Sequence, residues 1–157
     1  MTMTISDAGV TFPDASVQAK SAQGPAFSAY ASTQTTLGST PAKVLFASID
    51  FDTANAYSTA LSRFTPQVAG YYLVNAAITS QAGVNAMRAT IYKNGAPYKA
   101  GVAANGSSTE YCAGVTGIVY LNGSSDFIEL WAYMSPTQNT VAVGDSTYFQ
   151  AALARAA

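Results

Sequence analysis

At 157 residues the chain has the length of one domain with a short appendage, enough to bury a real core. Only 10% of the residues are charged and 49% are hydrophobic, against roughly 25% charged in an average soluble domain, so copies of itself or partners are expected to cover much of the surface. The net charge of −1, without a basic stripe, argues against nucleic acid; no apolar run approaches the roughly 20 residues of a membrane-spanning helix; and the absence of histidine removes Ser-His-Asp triads, Cys-His pairs and imidazole-ligated metal sites.

Residues 1–24 carry few large apolar side chains, Ile5, Val10, Phe12 and Val17, spaced by small polar ones. No 3.6-residue stripe appears, and an extended arm or a short strand pair is expected rather than a helix. The arm cannot bury enough surface to order itself alone, so a neighbouring subunit or another protein is expected to hold it. Its start lacks a basic region followed by an apolar one, and synthesis in a cytoplasm is expected. Phe12 and Val17 flank the Pro13-Asp14 start of a turn. The run GVTFPDASVQ at 9–18 resembles a motif of tailed-phage virion proteins, usually ITFPDGTVQ. The resemblance implies that Ile5, Val10, Phe12, Pro13 and Val17 dock the chain to a virion.

From residue 25 the pattern is short strands with turn punctuation, which predicts an all-β sandwich. Residues 26–33 alternate as a first strand, and 43–51 as a second, with 53–61 leading onward. Val44, Phe46 and Ser48, then Phe51, Tyr57, Leu61 and Phe64, recur at strand spacing. Pro66 cannot donate to a ladder, and Gly70 leaves room for a neighbouring backbone or ring that Tyr72 is expected to fill. Residues 70–80 read as a long central strand. Residues 88–93 run into Asn94-Gly95, a strong hairpin signal, and 98–103 return. Residues 105–108 read as a loop. Residues 111–121 and 127–134 are expected to pair as a hairpin about Asn122-Gly123. Residues 140–143 and 147–153 close about ten strands. Cys112, the single cysteine, is expected to be a small buried hydrophobe.

The order Phe46, Asp52, Tyr57, Phe64, Gly70, Tyr72 resembles the signature of the C1q domain, the jelly roll shared by complement C1q and tumour-necrosis-factor-like proteins. Val74 and Ala76 stand where that signature continues with aromatics. The resemblance runs from about Pro25 to Leu153. It implies an all-β, C1q/TNF-like jelly-roll sandwich at 25–157, with residues 1–24 as its arm, and a homotrimer about a threefold axis.

Asp50 and Asp52 are the one close carboxylate pair. Two apart on a strand, they would share a face, as two acids or a weak calcium site. Against that, a turn accounts for Asp52 at its place in the signature. No catalytic, cofactor or metal site is assigned. Trp131 and Tyr133 share one strand face and suit either a sugar surface or a subunit interface. Ala151, Ala152 and Ala154 permit close approach of subunits. Three functions compete: a capsid decoration or cement protein docked on major capsid or tail proteins, a tail-fibre or spike tip recognising host surface glycans, and an enzyme. Decoration is preferred for the short arm, host recognition is the alternative, and an enzyme is set aside for want of catalytic groups.

Overall fold

Where β-branched and aromatic residues alternate, the backbone is extended, and no helix occurs among the described residues. The computed structural model describes residues 24–102 and 110–157 in full and, of the remainder, the backbone of short strands at 4–6, 9–11, 17–18 and 104–106. In the arm, β1 (Thr4–Ser6), β2 (Gly9–Thr11) and β3 (Val17–Gln18) form a small antiparallel sheet with Ile5 opposite Val10 and Thr11 opposite Val17. The arm is therefore extended at these strands, while Phe12 and Pro13 lie outside the described residues.

The chain continues through β4 (Ala26–Tyr30), β5 (Thr36–Leu37), β6 (Ala42–Lys43), β7 (Ser48–Asp52), β8 (Tyr57–Ser58), β9 (Arg63–Phe64), β10 (Ala69–Ser80), β11 (Val84–Lys93) and β12 (Ala96–Ala100). It ends with β13 (Ala104–Gly106), β14 (Tyr111–Asn122), β15 (Ile128–Ser135), β16 (Gln138–Asn139) and β17 (Tyr148–Ala156). A five-stranded sheet has the order β14-β10-β17-β4-β7. A seven-stranded sheet has the order β12-β11-β15-β9-β8, with β13 beside β11 and β6 beside β15. Their inward side chains meet in one core, as in a two-layer β-sandwich.

The signature residues explain that core. Phe27 stacks on Tyr57 and Phe64 at 4.7 and 4.5 Å between ring centres, and Phe149 meets Phe27 edge-on at 5.1 Å. Phe46 and Tyr72 close the cluster against Phe149 and Phe64. Such pairs add about 0.5–1.5 kcal/mol each beyond the area they bury. Asp52 accepts the Ala54 and Tyr57 amides at 3.2 and 2.7 Å, fastening the turn that delivers Tyr57 to the stack. The Tyr72 hydroxyl donates to the Val68 carbonyl at 2.7 Å, and burial pushes its pKa up to about 12.

Several expectations are corrected. The second strand is broken: β6 joins the seven-stranded sheet and β7 the five-stranded one, with Val44 and Phe46 buried where the chain crosses between them. Phe51 and Leu61 are exposed, because Phe51 points off the outer side of its sheet and Leu61 sits in the turn after β8. The space at Gly70 is taken by β17, not Tyr72: a Cβ there would lie 2.5 Å from the Arg155 carbonyl oxygen and 2.6 Å from Leu153. Residues 104–106 pair with β11 instead of looping.

Asn94-Gly95 is the expected hairpin, with φ of 53° and 79°. Asn122-Gly123 is not a hairpin, since β14 and β15 belong to opposite sheets. The Asn122 Oδ1 accepts the amides of Ser124, Ser125 and Asp126 and folds the link into an arch across the sandwich. Residues 138–139 pair with β5, and Thr140 bridges Ser80. Cys112 is exposed, since it shares the outward parity of Ile118 and Tyr120 while Ala113 and Val115 face the core.

Candidate functional site

The two carboxylates near the signature are engaged separately. Asp50 sits at a bulge of β7 and accepts the Ser28 hydroxyl at 2.8 Å; Asp52 holds the turn. The register slip explains why residues two apart do not converge. Among the described residues no three His, Cys, Asp or Glu side chains gather as a metal site.

One part of the outward face of the five-stranded sheet is apolar, beside a polar row of Thr116, Asn75, Gln150 and Ser28. In the antiparallel register Ile118, Leu73 and Ala152 lie side by side on β14, β10 and β17, with Ala26 next on β4. Tyr120 lies against Tyr71 at 5.4 Å between rings, beside Arg155. Leu73 is 49% exposed, Ile118 56% and Phe51 50%. A shallow depression between Phe51 and Leu73 is floored by Ala26, Ala152 and Gln150, and another lies between Tyr71, Ile118 and Ala154. Contiguous apolar surface of this kind marks an interaction site.

The outward face of the seven-stranded sheet has a different chemistry. Lys43 and Glu129 form an ion pair at 2.6 Å. Glu129 also accepts the Trp131 indole N–H at 2.9 Å, and Trp131 stacks on Tyr92 at 4.7 Å, 14° from parallel. Beyond them the Arg88 guanidinium lies 5.8 Å from the centre of the Tyr133 ring. At the end of the sheet, Lys93 and Asn94 bind Asp126 at 2.9 and 2.7 Å. These donors, the Lys93 hydrogen bond first, hold the Asp126 carboxyl below its ordinary range.

The structure thus separates residues that the sequence reading grouped. Trp131 and Tyr133 do share a face, on the seven-stranded sheet, whereas Ala152 is outward on the five-stranded one. Ala151 is corrected to a core residue, because neighbours on a strand point to opposite sides. Ile5, Val10 and Val17 lie on the arm strands. Sequence reading missed Tyr71, Leu73, Ile118 and Tyr120. The available signal was that residues 71–74, Tyr-Tyr-Leu-Val, are apolar at both parities, the pattern of a strand covered on both faces.

The C1q domain family matches residues 26–147. A comparison with curated protein sequences gives no match. Among solved structures, the globular domain of zebrafish complement 1qA protein is similar at 15% identity and TM-score 0.65, covering 86% of this chain and 100% of that one. Murine APRIL is similar at 10% identity and TM-score 0.66, covering 82% of this chain and 98% of its own. The Eiger TNF of S. frugiperda gives 10% identity and TM-score 0.66 over 86% of this chain and 96% of its own.

Proposed function

The chain belongs to the C1q domain family, and from that premise we propose that it is a non-enzymatic, homotrimeric protein of a tailed-phage virion, a capsid decoration or cement protein docked by its N-terminal arm. The observation that carries self-association is the outward face of β14, β10 and β17. Leu73, Ile118, Tyr71 and Tyr120 form one contiguous half-exposed apolar patch, and closure about an axis covers it without an open edge. The small side chain of Ala152 lets a neighbour approach the sheet closely. The virion assignment is supported by the GVTFPDASVQ run at 9–18, within which β2 and β3 pair.

Deleting residues 1–22 tests the assignment. The truncated chain is expected to remain a soluble trimer and to lose attachment to purified heads and tails. Attachment that survives the deletion would remove the arm from the account. Electron microscopy of virions labelled with antibody to the protein places it on head or tail.

A second reading has its own support. Trp131 and Tyr133 are outward on the seven-stranded sheet, so association through the five-stranded sheet leaves them accessible for a host surface glycan, as on a tail-fibre or spike tip. Labelled protein that stains host cells but not stripped capsids would select this reading over decoration.

A further inference from the structure

The outward face of β11 and β15 holds a cation whose needs the described residues do not meet. Lys43 and Lys93 each reach a carboxylate, at 2.6 and 2.9 Å. Arg88 has no carboxylate partner among the described residues, and its buried Nε has no hydrogen-bond partner. The facing Tyr133 ring returns part of the lost hydration, but a ring accepts no directed hydrogen bond equal to that of an oxygen. Nε itself is closed to solvent, so what a ligand meets on this half-buried side chain is the terminal nitrogens of the guanidinium, which a carboxylate fits best.

Around Arg88 the register assembles the rest of a site. Tyr133 lies opposite Arg88, with its ring 5.8 Å from the guanidinium, and the next pair along, Thr90 opposite Trp131, shares that outward face. Trp131 is fixed beforehand, stacked on Tyr92 and held through its indole N–H by Glu129. Rigid rings suit the apolar face of a pyranose, while the Thr90 and Tyr133 hydroxyls suit its hydroxyl groups.

We propose that Arg88, Thr90, Trp131 and Tyr133 form a binding site for an acidic saccharide, a sugar bearing a carboxylate such as a uronic or sialic acid. The inference rests on the host-recognition reading of this face and names its ligand chemistry. With a net charge of −1 the chain has no general field that draws anions, so selectivity for the acid resides in Arg88.

Trp131 is the single tryptophan, which makes intrinsic fluorescence a direct probe of the site. The full chain is titrated with sialyllactose and with trigalacturonic acid, each beside a neutral counterpart, lactose and the methyl-esterified trimer, in about 0.15 M salt. Saturable binding of at least one acid at millimolar concentration or below is expected, with its neutral counterpart weaker by at least about tenfold. Arg88→Gln is expected to weaken the acid by at least about tenfold, and Arg88→Lys by less, because the charge stays and the fork is lost. Tyr133→Leu, which keeps an apolar cover and removes ring and hydroxyl, gives the same answer should Arg88→Gln not fold. Binding of neither acid, equal binding of acid and neutral sugar, or full binding by a folded Arg88→Gln chain overturns the site. Staining of host cells that neither acid competes would sink the site and leave host recognition standing; acid binding without cell staining would do the reverse.

Discussion

The five-stranded and seven-stranded sheets obey the same alternation and bury the same kind of inward residue, yet their outward faces solve different problems. On the first, Leu73, Ile118, Tyr71 and Tyr120 lie together, with Arg155 the charge beside them in register. On the second, Lys43, Glu129, Trp131 and Tyr92 satisfy one another through an ion pair, an indole hydrogen bond and a stack. Rings and alkyl stems there carry polar partners and are stable in water. On the five-stranded sheet Lys93 lies over the Tyr120 ring at 5.6 Å, while Leu73 and Ile118 stay half-exposed. One sandwich thus presents two outward faces of different chemistry, and the proposals made above assign association to the first and ligand binding to the second.

The strongest way to break this contrast is to put a charge on the apolar face. Leu73→Arg is expected to turn the proposed trimer into single chains in sedimentation, since an unpaired charge buried at an interface costs about 3 to 5 kcal/mol per subunit. The same side chain on the other face, Thr90→Arg, is expected to leave association unchanged. A wild-type chain that sediments alone at working concentrations, or equal responses of the two variants, would erase the distinction.

A smaller effect sharpens the account of the exposed face. Glu129 is buried and serves both Lys43 and Trp131, so Glu129→Gln removes the charge that holds the cation and disturbs the indole contact. A loss of about 1 to 3 kcal/mol in denaturant unfolding is expected, with a shift in Trp131 emission. An unchanged midpoint and spectrum would mean that the network does not organise that face.

The smallest effect concerns Asp126, whose carboxyl is held below its ordinary value of 3.8 by Lys93 and Asn94. A carboxyl depressed in the folded state contributes stability at pH above its unfolded value, and that contribution is lost as pH falls through the folded value. Asp126→Asn is therefore expected to lower stability slightly at neutral pH and to flatten the acid limb of the stability profile below about pH 4. Identical acid limbs for variant and wild type would show the Lys93 pair to be without weight. Because this pair is only part-buried, whereas Glu129 is buried and also holds Trp131, its effect ranks below that of Glu129.

Much of the fold was legible in residues with strong local physics. Phe46, Tyr57, Phe64 and Tyr72 announced the core by ring spacing, Asp52 its turn, and Asn94-Gly95 its hairpin through positive φ. The arch at Asn122-Gly123 resembled a hairpin because a turn sequence states that the chain reverses, not which sheet receives it. Phe51 resembled core for a related reason: apolar spacing marks a residue that is to be covered, not what covers it.

By itself the sequence determined an all-β chain, low in charge, with an aromatic core placed at signature intervals, because propensity, turn chemistry and composition act over a few residues. Tertiary structure alone decided which strands share a sheet, that Ala151 faces inward while Ala152 faces out, and that Trp131 and Leu73 look in opposite directions. Those outcomes depend on register and on the partition of strands between two sheets. A bulge or a sheet crossing changes the face of every residue beyond it, and only long-range pairing fixes where it falls.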